Sequence, residues 1–232
     1  MVPVLNLIFG LPIKTAVATS LCAVCATSIG GAAKYLNKGI ADFRLGLFLE
    51  TTTVVGAVSG GLLAIIVKPQ VISIMFTLIS FYVAANMVFK ENSSESIQDD
   101  SNYRETIVSR KLSALGLSAI TGMISSFLGV GGGIVQVPIL YLILRLPIKV
   151  ATATSTYMIG ITASAGSLVY FFGEIIDYKY IAPLIIGTLI GSTFGANTAD
   201  RLKSSSVRVL FIIAIVYAGF RVGLKGLGVN IL

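Results

Sequence analysis

Histidine and tryptophan do not occur in the 232 residues, cysteine occurs twice, and charged side chains make up only 12% of the chain. Each shortage excludes something. Without histidine there is no imidazole metal site and no histidine proton relay. Two cysteines cannot build a disulfide scaffold, and Cys22 and Cys25, three apart in an apolar stretch, read as small packing residues. No nucleophile–base pair or ligand cluster stands out, so neither an enzyme nor a resident metal or cofactor is expected. The charged fraction is about half that of a soluble domain. With 55% hydrophobic residues, the chain must use lipid as its solvent.

What the chain has instead is long apolar runs. A helical crossing needs about 20 apolar residues. Candidate spans are residues 13–36, 45–67, 70–89, 112–130, 150–172, 180–199 and 207–224, with short segments at 2–11 and 133–146. None shows the alternation of a membrane β-strand, so the fold class is an all-α, polytopic helical bundle. A net charge of +7 could suggest a nucleic-acid partner, but in a membrane protein basic excess reflects topology, and no nucleic acid is expected.

The chain is also written twice. Between Val2 and Ser20, 13 of 19 positions are identical to those 135 residues later, Pro3 falling on Pro138, Pro12 on Pro147, Lys14 on Lys149 and Thr19 on Thr154. The same offset pairs Tyr35 with Tyr170, Asp42 with Asp177, Gly56 with Gly191 and Gly60 with Gly195. Two copies of one large unit point to transporter architecture. Residues 1–90 form the first repeat, 91–110 a hydrophilic linker and 111–232 the second repeat. A first helix with a glycine-rich break has no counterpart in copy one, because Met1 already falls opposite Gln136.

Basic residues decide between two arrangements. If the short segments cross, the repeats are inverted and lysine plus arginine divide 12 to 5 between the two sides; if they re-enter, the repeats are parallel and the division is 10 to 7. The larger asymmetry favours inversion, with Met1 on the cytoplasmic side and nine crossings. At about 14 residues and 1.5 Å each, a short segment is shorter than a ~30 Å hydrocarbon core, so it must dip or tilt with its ends in protein.

The candidate site lies at these broken segments. Gly131, Gly132 and Gly133 allow close backbone approach, Pro138 weakens the helix that follows, and amides at such a break suit an anion at membrane depth. Thr19, Ser20, Thr154 and Ser155 open the next span in both copies, and their hydroxyls can replace water around an oxyanion. Glu50 lies inside a span where the other copy has Ile185, which makes it a proton-coupling candidate. Gly56, Gly60 and Ala64, and their counterparts Gly187, Gly191, Gly195 and Ala199, mark a helix-packing seam.

These residues resemble the TauE/SafE family, the sulfite exporters. The resemblance rests on GVGGGIVQVPIL, the following LPIKVATATS, the earlier copy VPVLNLIFGLPIKTAVATS and the glycine-spaced spans. It implies transport of sulfur-containing oxyanions such as sulfite or organosulfonates. The expected protein is thus a multi-pass secondary transporter of the cytoplasmic membrane, with the bilayer and a small anion as partners and homo-oligomerisation left open. A passive anion channel and a non-transporting assembly partner are the alternatives.

Overall fold

The computed structural model describes residues 1–37, 41–89, 103–129, 131–132, 136–137, 139–144, 146, 148–199 and 204–226. Among them every regular element is helical: α1 Val2–Leu7, α2 Ile13–Asn37, α3 Phe43–Ile66, α4 Pro69–Phe89, α5 Tyr103–Leu128, a π-helical turn Ile139–Ile143, α6 Ile148–Phe172, α7 Tyr178–Ala199 and α8 Ser204–Gly226. The long helices fall within a few residues of the expected spans, except at the start of α5. That helix begins at Tyr103, eight residues before the boundary drawn from composition. Hydropathy marks where a helix enters lipid, whereas helix propensity lets it continue through charged residues.

The repeat reappears as geometry. Displaced by 135 residues, α2 coincides with α6, and α3 and α4 start where α7 and α8 start. Local chemistry sets these starts. Asp42 caps α3 by accepting from the Leu45 amide at 3.1 Å, and Pro69 opens α4, where its missing N–H costs nothing.

Ser28 faces Gly160 and Cys25 faces Ser164, so α2 and α6 run antiparallel. Ser73 meets Gly226 and Ser80 meets Gly219, which makes α4 and α8 antiparallel as well. By contrast, α3 runs alongside α6 in the same direction, from Asp42 at Thr154, through Glu50 at Thr162, to Gly61 at Val169.

The end of α5 lies at the end of α6, where Ser126 meets Gly166 and accepts at its carbonyl from the Tyr170 hydroxyl at 2.9 Å. Residues 129–147 therefore carry the chain back along α6 to its start at Ile148. They travel against some 20 residues of helix, about 30 Å. The matching segment of copy one, α1, has 6 residues and stops before Gly10, whose φ is +69°.

The packing seam is real on α3. A Cβ built on Gly56 would stand 1.9 Å from the Ala119 carbonyl oxygen of α5, and one on Gly60 would stand 2.3 Å from that of Met123. Only glycine lets the two backbones touch. The repeat mate of Gly56 differs: among the described residues, nothing lies within 4 Å of a Cβ built on Gly191 of α7, nor of one built on Gly187 one turn before it.

Polarity runs opposite to that of a soluble protein. Val55, Ile66, Leu78, Phe172 and Ile213 are exposed on outer faces, while Thr19, Ser20, Glu50, Ser125, Gln136 and Thr162 are buried. Apolar side chains facing outward suit lipid, and Ile13–Ala32 and Phe43–Ile66 are long and apolar enough to cross a membrane.

Candidate functional site

The glycine-rich turn after α5 enters the middle of the bundle. Gly129, Gly131 and Gly132 have φ of +69°, +78° and +71°, a region that side chains disfavour. Space forbids them too. A Cβ on Gly131 would lie 2.6 Å from Val24 of α2 and 3.2 Å from Ile159 of α6, and one on Gly132 would lie 3.2 Å from Ser125 of α5. The turn is thus enclosed by three helices. Ser20 ties it down by donating to the Gly129 carbonyl at 2.9 Å, and the Gln136 amide closes it by donating to the Gly132 carbonyl at 2.9 Å.

Several buried polar atoms have no hydrogen-bond partner among the described residues: Ser125 Oγ and Gln136 Oε1, whose residues meet Gly132 of the turn, Thr19 Oγ1 and Ser126 Oγ, next in sequence to Ser20 and Ser125, and Glu50 Oε2, whose carboxyl meets Thr162 of α6. Gln136 is 1% exposed, and among the described residues its side-chain amide nitrogen meets the Met158 sulfur at 3.3 Å, a weak acceptor. An unmet buried polar group costs about 1–3 kcal/mol. Ser125 and Gln136, both at Gly132, present a hydroxyl and an amide able to hydrogen-bond a small polar solute.

The residues expected from sequence fare unequally. Gly131 and Gly132 line the break, Thr19 contributes an unpartnered hydroxyl, and Ser20 holds the turn from beneath. Thr154 and Ser155 do other work: the Thr154 hydroxyl accepts from the Asp42 amide at 2.9 Å, anchoring the start of α3, and Ser155 donates to the Thr152 carbonyl of its own helix at 3.0 Å. Glu50 is 2% exposed and accepts from Thr162 Oγ1 at 2.5 Å. Gly133 and Pro138 lie outside the described residues. Cys25 packs in the α2–α6 contact, 2.8 Å from the Ser164 hydroxyl.

Sequence reasoning missed Ser125, Ser126, Gln136 and Thr162. A signal existed for three of them. Ser125 and Ser126 directly precede the glycine cluster, and Gln136 stands between it and Pro138. Thr162 had none, because its partner is 112 positions away.

Residues 1–222 match the family described as Sulfite exporter TauE/SafE. The chain belongs to this family. It is similar to the "Probable membrane transporter protein YunE" of Bacillus subtilis, 20% identical over 224 residues, covering 92% of this chain and 82% of that one. It is also similar to "Probable membrane transporter protein YdhB" of the same organism, 23% identical over 224 residues, with 94% and 88% covered. A plant relative, "Sulfite exporter TauE/SafE family protein 3" of Arabidopsis thaliana, is 27% identical over 135 residues, 57% of this chain and 28% of that protein. No solved structure gives a significant match. As a TauE/SafE member with helices fit to cross a bilayer, the protein is a membrane transporter.

Proposed function

We propose that this TauE/SafE protein is a multi-pass secondary transporter of the cytoplasmic membrane that carries a small sulfur-containing oxyanion, of the sulfite or organosulfonate class, by alternating access. The observation that carries the reading is that Ser125 and Gln136, both at Gly132 of the glycine break, are buried with side-chain oxygens short of partners among the described residues, as are Thr19 and Ser126 beside Ser20 and Ser125 in sequence. Hydroxyls and an amide can donate to several oxygens of a tetrahedral or pyramidal anion, much as water does. Irregular backbone at membrane depth is tolerated where it lines a cavity, which fits the Gly129–Gly132 turn. Antiparallel pairing of the repeat mates α2 with α6 and α4 with α8 supports two inverted halves. A site at their junction can then face either side in turn. The family description supports sulfur oxyanions as the class.

The test is flux in proteoliposomes loaded with sulfite, thiosulfate, sulfate or methanesulfonate. Saturable flux of at least one sulfur oxyanion is expected, whereas a passive channel gives no saturation. Hydrogen bonds to a charged group contribute about 1.5–3 kcal/mol, so Gln136→Leu or Ser125→Ala should weaken apparent affinity about 10- to 100-fold. Unchanged flux and affinity in both variants would remove the site.

A further inference from the structure

The neighbours of Glu50 tie it to the anion lining. On α6, Thr154, Met158 and Thr162 are spaced four residues apart and so lie one above another on one face. Thr154 holds the start of α3, Met158 touches the Gln136 amide, and Thr162 donates to the Glu50 carboxylate. One helical turn, a rise of about 6 Å, therefore separates the residue that touches Gln136 from the residue that touches Glu50.

Among the described residues, no lysine or arginine pairs with the carboxyl. Residues 113–128 of α5 and 150–172 of α6 contain no lysine, arginine, aspartate or glutamate, and the described glycines of the turn contribute no charge. Among the described ionisable groups, Tyr157 on α6 lies within electrostatic reach of Glu50, and its hydroxyl donates to the Phe43 carbonyl at 2.9 Å. Only one carboxyl oxygen is satisfied, by Thr162; the other is buried without a partner among the described residues.

We propose that Glu50 and the polar lining at Gln136 form one coupled unit in which an anion is accepted only when Glu50 carries a proton, so each anion crosses with one proton. This rests on the transport reading above and adds its coupling. An ionised Glu50 one turn along α6 from the lining repels a bound monoanion, a penalty of roughly 100-fold for charges about 6 Å apart at an effective dielectric constant near 20. Protonation removes that penalty. The proton comes from water on the loading side, forming the O–H bond at the carboxyl. It leaves to water on the release side when that bond breaks, while the anion is chemically unchanged. For a monoanion the cycle moves no net charge.

Methanesulfonate is the probe, because it stays a monoanion across the working pH range and does not buffer. In wild-type proteoliposomes, an outward methanesulfonate gradient should raise internal pH by exporting about one proton per anion. A potassium–valinomycin potential should neither drive nor oppose that flux. Apparent affinity should fall about tenfold per pH unit once pH exceeds the Glu50 midpoint. Glu50→Gln keeps the shape and an acceptor for Thr162 but cannot titrate, so its methanesulfonate binding should be independent of pH and its flux should move no protons. Anion flux without proton movement in the wild type, or proton movement retained in Glu50→Gln, overturns the coupling alone. The wild-type ratio decides the matter even if the variant does not fold. Absence of flux for every sulfur oxyanion overturns the transport reading and the coupling with it.

Discussion

Gly56 and Gly191 are repeat mates with opposite surroundings, and a single methyl group on each should act in opposite directions. In Gly56→Ala the new Cβ would lie 1.9 Å from the Ala119 carbonyl oxygen, where ordinary contact begins at 3.4 Å, so α3 and α5 must part by about 1.5 Å. The obstacle is backbone, so no side-chain rotation relieves it. Overpacking costs about 1–3 kcal/mol, more than the roughly 0.5–1 kcal/mol that alanine gains over glycine inside a helix. The net loss is about 1–2 kcal/mol. In Gly191→Ala the methyl meets nothing within 4 Å among the described residues, so the helix gain of about 0.5–1 kcal/mol remains. For a chain of this length 1 kcal/mol moves the midpoint by roughly 2–4 °C. Thermal unfolding of detergent-purified protein should show Gly56→Ala about 2–8 °C below wild type and Gly191→Ala about 1–4 °C above it. Equal shifts, or a Gly56→Ala protein as stable as wild type, would refute the close α3–α5 contact.

Two further outcomes follow from tertiary hydrogen bonds. Asp42→Ala removes the α3 cap and should cost about 0.5–2 kcal/mol, while Thr154→Val leaves the Asp42 amide unpaired at about 1–3 kcal/mol. Because both act on one helix start, the double variant should lose less than the sum in the same thermal assay, and strict additivity would contradict their contact. Thr154→Val should leave anion affinity unchanged in the fraction that folds. Tyr170→Phe deletes the hydroxyl that donates to the Ser126 carbonyl, for a loss of about 0.5–1.5 kcal/mol; no change in midpoint would count against it.

Much of this protein is determined by its sequence because the relevant physics is local or repetitive. Few charges and long apolar runs require lipid around the chain. Twenty-residue runs can satisfy their backbone there only as helices. A constant offset of 135 marks a duplication whose helices then start at matching positions. Glycines flanking a short segment mark the break, since a residue with positive φ and no room for a Cβ is glycine in any context.

What the sequence left open depends on neighbours far apart in the chain. Thr19 and Thr154 are identical in the repeat, yet only Thr154 meets the Asp42 amide, while the Thr19 hydroxyl is buried with no partner among the described residues. Gly56 and Gly191 are likewise mates, yet α5 fills the seam of one and nothing described reaches the other. Glu50 could have lain at an interface with its carboxyl in water. Packing of α3 against α5 and α6 buries it on Thr162 instead, one turn from the residue that touches Gln136. A duplicated sequence assigns both copies the same local preferences. Which hydroxyl bonds a neighbour and which is left without one among the described residues is settled only when the helices pack, because each side chain's partner comes from elsewhere in the bundle.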